Sequence, residues 1–167
     1  MEHKSATDIL KTAILLERRG KAFYSTIAKQ TQSEAVRKIF TMMAEEEDEH
    51  INFLSNQFAN YEKNHKFLKN EVPAQPDDTA VVEILTKEIK KQITAASFEA
   101  AAISAAIDFE NRAIEVYSGR AEVATDSNEK EMYQMLADWE KTHHHLLHRL
   151  NEDLKEEIWN DNNFWPF

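Results

Sequence analysis

Cysteine is absent from the 167 residues, which removes disulfides, thiolate metal sites and thiol catalysis together. Any metal held by this chain sits among oxygen and nitrogen ligands. Glycine and proline are scarce too, at two and three residues. So few turn formers leave little material for β-hairpins, while Ala, Glu, Lys, Leu and Ile supply helix formers in quantity. Positive charge is also short: 20 Lys and Arg face 30 Asp and Glu, for a formal net charge of −10. No basic stripe forms, which argues against a nucleic-acid partner. No stretch reaches the ~18 uninterrupted apolar residues of a membrane span, and the N-terminus MEHKSATDIL lacks the apolar segment of a secretory signal. A membrane partner is therefore not expected, and a cytoplasmic location is the default. What is present is one domain's worth of chain, residues 1–167, with 42% hydrophobic residues, enough to bury a core.

Helical periodicity organises that material. Ser5 and Asp8 form a capping-box pair ahead of a helix running to about Thr31, with Leu10, Ala13, Ile14, Glu17, Tyr24 and Ala28 along one stripe. Ser33 can cap a second helix carrying Val36, Ile39, Met43, Leu54 and Tyr61. The Pro-containing break NEVPAQPDD, residues 70–78, lies in a crossover spanning 62–97, in which AVVEILTKEIKKQI suits a short amphipathic helix. Ser97 can cap a third long helix, and Asp126 with Glu129 reads as another capping box before a fourth. The fourth runs into the 150s with Met132, Leu136, Leu147, Leu150 and Leu154 in line. Two helical hairpins joined by one long crossover predict an all-α, ferritin-like four-helix bundle.

The run EEEDEH, residues 45–50, interrupts the second helix with acid. At about 100° per residue, Glu45, Asp48 and Glu49 fall on the solvated face, whereas Glu47 and His50 join the apolar stripe of Ile39, Met43 and Leu54. Glu46 falls on the flank, and helix geometry alone does not assign it. An inward carboxylate and imidazole cost several kcal/mol unless something pairs them. One Glu-x-x-His pair is weak evidence for a metal, since a hydrogen-bonded pair would serve as well. The same spacing recurs, however, at Glu140 and His143 in ADWEKTH.

The recurrence extends well beyond that pair. A shift of 93 residues aligns Ala13 with Ala106, Glu17 with Glu110, Arg19 with Arg112, Tyr24 with Tyr117, Ala28 with Ala121, Met42 with Met135, Glu47 with Glu140, His50 with His143 and Leu54 with Leu147, without a gap. The chain is an internally duplicated helical hairpin. Four carboxylates and two imidazoles then point into one core, and two divalent cations would neutralise them. One Glu from each of two helices plus Glu-x-x-His from each of the other two is the ligand set of di-iron and di-manganese carboxylate bundles. In such a site Glu47 and Glu140 bridge, Glu17 and Glu110 are terminal to one metal each, and His50 and His143 complete one metal each.

With LLERRGKAFY and DFENRAIEVY on the Glu helices, and AEEEDEH and ADWEKTH on the Glu-x-x-His helices, the chain resembles the ferritin-like domain of the rubrerythrins over roughly residues 8–60 and 98–150. The resemblance implies a non-haem di-iron protein that reduces hydrogen peroxide with electrons from a rubredoxin-type donor. It also selects iron over manganese, which uses the same oxygen and nitrogen ligands. Two departures stand out. The rubredoxin domain of full-length members needs cysteine, so the donor here is expected to be a separate protein. The family's peroxidase mechanism also uses an extra carboxylate three residues after the helix-three Glu; Ala113 occupies that position, which moves the expectation toward ferroxidase or O2-linked chemistry.

Other residues have two readings. Tyr24 and Tyr117, two turns beyond the terminal glutamates, serve either as hydrogen-bonding partners of a ligand carboxylate or bound water, or as amphipathic core. Gly20 and Ala113 either leave room beside the metals or permit close helix packing. His145 and His148 point away from the stripe and are expected at the surface. A second apolar strip, Ile9, Leu16, Phe23 and Ile27 on the first helix with Ala102, Phe109 and Val116 on the third, calls for a cover, either the crossover helix or a second subunit, hence an expected homodimer. The aromatic tail IWNDNNFWPF, residues 158–167, is expected to dock on the bundle or across the dimer. Three functions compete on this reading: a di-iron oxidoreductase or ferroxidase, an iron-storage protein, and a structural bundle with a vacant site.

Overall fold

The computed structural model describes residues 5–70, 79–94 and 97–160. It contains α1 (Ala6–Gln30), α2 (Glu34–Asn64), α3 (Thr79–Gln92), α4 (Phe98–Val123) and α5 (Ser127–Asn160), with no strand among the described residues. The architecture is the expected all-α bundle. Hairpins α1–α2 and α4–α5 pack tightly within themselves, and α3 lies in the crossover between them. The tail and the Pro-containing part of the crossover, residues 161–167 and 71–78, lie outside the described residues.

Local chemistry sets the helix boundaries. Ser5 caps α1 in a full capping box with Asp8, and the side chains of Ser33 and Ser97 accept from the backbone N–H groups of Val36 and Ala100 at the starts of α2 and α4. The sequence reading of a second capping box at α5 is half right. Asp126 does accept from the Glu129 N–H, but the Glu129 side chain turns away to the Arg120 guanidinium at 2.6 Å. A buried carboxylate gains more from a guanidinium than from one backbone N–H. At its other end α2 stops at His65, which takes a left-handed conformation (φ 53°) while its N–H bonds to Tyr61 O.

Both ends of the crossover are fastened to the bundle. Gln57 exchanges hydrogen bonds with the backbone of Leu68, and Asn128 on α5 donates to Phe67 O. At the opposite end Ser33 donates to Gln92, and Thr31 donates to Glu99. Helix α3 buries Leu85 and Ile89, with Ile93 just past its end, and packs mainly on α2 and α5. Part of the second apolar strip is used between α1 and α4, where Phe23 stacks on Phe109 with ring centroids 6.3 Å apart.

The core divides into two apolar clusters, and the division positions the site. One gathers Tyr24, Ile39, Phe40, Met43, Ile103, Ala106, Leu147 and Leu150; the other gathers Leu10, Ala13, Leu54, Ala113, Tyr117, Met132 and Leu136. On each long helix the chain passes from one cluster to the other across a polar step: Glu17 on α1, Glu47 and His50 on α2, Glu110 on α4, Glu140 and His143 on α5. Each fully buried large aliphatic side chain contributes about 1.5–3 kcal/mol. Apolar packing on both sides therefore clamps a polar layer across the middle of the bundle.

Candidate metal centre

All six residues singled out by spacing are buried, none more than 4% exposed. They fall into two overlapping groups, Glu17, Glu47, His50 and Glu140, and Glu47, Glu110, Glu140 and His143, each offering ligand atoms within 4.8 Å of one another. Glu47 and Glu140 belong to both groups, the placement that bridging requires. His50 Nδ1 lies 3.0 Å from Glu17 Oε2 and 3.2 Å from Glu140 Oε1, and His143 Nδ1 lies 3.4 Å from Glu110 Oε1 and 3.6 Å from Glu140 Oε2.

The two tyrosines take the hydrogen-bonding role. Tyr24 on α1 donates to Glu110 Oε1 on α4, and Tyr117 on α4 donates to Glu17 Oε1 on α1. Each hairpin thus orients the terminal carboxylate of the other, while the rings still pack in the apolar clusters. Gly20 has a specific reason to be glycine: a Cβ there would stand 3.1 Å from Glu47 Cδ and 3.0 Å from Phe109 Cε1. The small position admits the Glu47 carboxylate rather than empty space.

So much buried acid is distributed by protonation when no cation is present. Burial, reinforced by the Glu140 charge, pushes Glu47 well above the usual carboxylate range. Burial likewise raises Glu110 to about 8, with His143 partly offsetting it. Burial also works against the charge on Glu140, but the neighbouring His143 and His50 imidazoles outweigh it and hold that carboxyl well below its usual range. Burial alone would depress both imidazoles; instead the surrounding carboxylates hold His50 and His143 well above an ordinary histidine. Protons occupy the places that cations would take.

The unpaired atoms show the fit most directly. Both oxygens of Glu47 and of Glu140, Glu110 Oε2 and His143 Nδ1 are buried without a hydrogen-bond partner among the described residues. Orphaned buried acceptors are costly in native proteins. These six atoms belong to residues of the two groups, and oxygen-rich sets of this kind with two imidazoles suit divalent iron or manganese. A family model described as Rubrerythrin matches residues 8–151. The chain belongs to the rubrerythrin family. Its ferritin-like bundle and buried Glu and His cluster accord with a family of di-iron carboxylate proteins. No curated protein and no solved structure matches the chain.

Two neighbours of the site escaped the sequence reading. Glu46, left unassigned on the helix flank, reaches across to His143 Nε2 with its side chain still 40% exposed. Trp139 lies stacked on His50, ring centroids 4.7 Å apart and planes 8° from parallel. A signal was available, because Glu46 and Trp139 are equivalent under the 93-residue shift and differ sharply in chemistry. The expected surface histidines, His145 and His148, are exposed. Ala113, by contrast, is buried at 1% exposure in the cluster that holds Tyr117 and Leu136.

Proposed function

We propose that this rubrerythrin-family chain is a non-haem di-iron oxidoreductase that takes hydrogen peroxide or O2 as its small substrate. The observation that carries the reading is the set of six buried donor atoms on Glu47, Glu110, Glu140 and His143 that make no hydrogen bond, between two apolar clusters. Two Fe(II) ions, which Glu17, Glu47, His50, Glu110, Glu140 and His143 would hold, would supply the two electrons that, with two protons, reduce hydrogen peroxide to two waters.

The residues divide the remaining tasks. Glu47 and Glu140 lie between the two positions; Glu17 with His50 serves one, and Glu110 with His143 serves the other. Tyr24 and Tyr117 hold Glu110 and Glu17 in fixed orientations. Burial first, then the Glu110 and Glu47 charges, keeps the Tyr24 hydroxyl protonated and therefore donating. The apolar clusters restrict water on both sides of the polar layer. With Ala113 in place of a further carboxylate, O2 stands beside peroxide as a substrate. Lacking cysteine, the chain draws electrons from a separate rubredoxin-type protein, and we place it in the cytoplasm as a pair of copies. Among the described residues no helix is long and apolar enough to cross a membrane.

The test is to load metal-free protein with Fe(II) anaerobically, count iron, and follow near-ultraviolet absorbance after adding one equivalent of H2O2 or, separately, of O2. Two irons per chain and a rapid rise with either oxidant are expected. Fewer than one tightly bound iron per chain, or a Glu47→Ala protein that binds and oxidises iron like the parent, overturns the reading.

A further inference from the structure

Duplication would make the two halves of the centre equivalent, and the six residues with the two tyrosines do obey that symmetry. The residue just before each central glutamate breaks it. Ahead of Glu47 stands Glu46, whose Oε2 contacts His143 Nε2 across the bundle; ahead of Glu140 stands Trp139, whose indole lies flat on the His50 ring. The carboxylates that reach His50, namely Glu17, Glu47 and Glu140, all do so at Nδ1, the nitrogen facing the centre. His143 presents Nδ1 to Glu47, Glu110 and Glu140 in the same way and in addition carries Glu46 on its outer nitrogen.

We infer that Glu46 is a positioning residue that makes the two metal positions unequal, the one held by Glu110 and His143 being the tighter. The inference rests on the reading that the cluster holds two divalent ions. An imidazole whose outer N–H donates to a carboxylate is fixed in tautomer and orientation and becomes a more basic ligand. Glu46 does this for His143, leaving the Nδ1 lone pair on the side of Glu47, Glu110 and Glu140. Trp139 fixes the plane of His50 by stacking, but an indole has no acceptor to offer, so His50 gains orientation without added basicity. Glu46 is also partly exposed while His143 is buried, so the carboxylate links the inner imidazole to the solvent edge of the site.

The test is calorimetric titration of Mn(II) into the metal-free full chain at neutral pH, for the parent, Glu46→Gln, Glu46→Ala and, as a control for lost surface charge, Glu49→Gln. Two unequal events are expected for the parent. Glu46→Gln, which keeps an acceptor but loses the charge, weakens the tighter event about 10-fold, and Glu46→Ala weakens it by up to about 100-fold. The weaker event and the Glu49→Gln protein change by less than about threefold. In a His143→Ala background the tight event is gone and Glu46→Gln alters nothing further, a result that a general loss of packing would not give. Equal weakening of both events, no weakening, or two identical parent events overturns the inference while leaving two-metal binding intact. A parent that takes up no manganese overturns both.

Discussion

Removing the metal should make stability fall as pH rises, and Glu110 sets the size of the effect. Its carboxyl is fully buried, and burial lifts it from the usual 4.5 to about 8 despite the opposing pull of His143. Between those two values the folded chain keeps a proton that the unfolded chain has released, so each step up in pH favours unfolding. At about 1.4 kcal/mol for each pH unit traversed, the loss from pH 5 to pH 8 is about 3–4 kcal/mol for this one group. A domain stable by about 5–15 kcal/mol feels that strongly. Glu47, also raised, acts in the same direction. His50 and His143 add to it, since a raised imidazole contributes stability below about pH 6.5 that is lost as pH climbs through its folded value. Glu140 opposes them only in acid, where its depressed carboxyl is finally protonated. The assay is urea unfolding of chelator-treated protein by far-ultraviolet circular dichroism at pH 5, 6, 7 and 8. The Glu110→Gln protein should lose about 3–4 kcal/mol of the parent's pH dependence. Mn(II) should reverse the slope, because the cations displace these protons and bind more tightly as pH rises. A metal-free midpoint that is flat or rising over this range, or an unchanged slope in Glu110→Gln, refutes the reasoning.

Three further perturbations probe the neighbours of the centre. Tyr24→Phe and Tyr117→Phe each delete one donor to a buried carboxyl group, and each is expected to lower metal-free stability by about 1–3 kcal/mol in the same urea assay. Gly20→Ala gains about 1 kcal/mol of helix propensity, but its methyl group meets Glu47 Cδ at 3.1 Å. Its metal-free midpoint should therefore stay near the parent's while Mn(II) affinity falls, and unchanged affinity would mean that Glu47 has other room. Arg120→Met strands the buried Glu129 carboxylate at the start of α5 and should cost about 3 kcal/mol by thermal or urea unfolding, with Mn(II) stoichiometry unchanged.

The six converging residues were legible because duplication repeats an otherwise weak signal. One Glu-x-x-His on an amphipathic helix is ambiguous; the same pair 93 residues later, with a glutamate thirty residues before each, is a pattern that packing alone does not demand. The caps at Ser5, Ser33 and Ser97 were legible for a local reason, since a cap needs only residues within one turn. Partners on other helices were not. Helix periodicity says that Tyr24 faces the core, but it does not say that the hydroxyl will meet Glu110 on α4 rather than Glu17 on its own helix. The same gap hid the turn of Glu129 to Arg120 and the seating of α3 on α2 and α5, both of which depend on which neighbour lies beside a given flank.

Glu46 shows where that limit bears on chemistry. On a helical wheel it is a flank residue in an acidic run, indistinguishable from an ordinary solvated glutamate, and its 40% exposure agrees with that description. Its role comes from the bundle, which brings the flank of α2 against the outer nitrogen of an imidazole on α5. The repeat that exposes the ligands also identifies such positions, provided that it is read for its mismatches. Where the halves agree, as at Glu47 and Glu140, the residues are those that both metal positions need. Where they disagree beside a ligand, as at Glu46 and Trp139, one position has acquired something the other lacks. Replacing Trp139 with glutamate would add the missing carboxylate beside His50. If charge at the outer nitrogen is what separates the two positions, the Mn(II) affinities should converge in that protein, and a wider separation would point to the stacked indole instead.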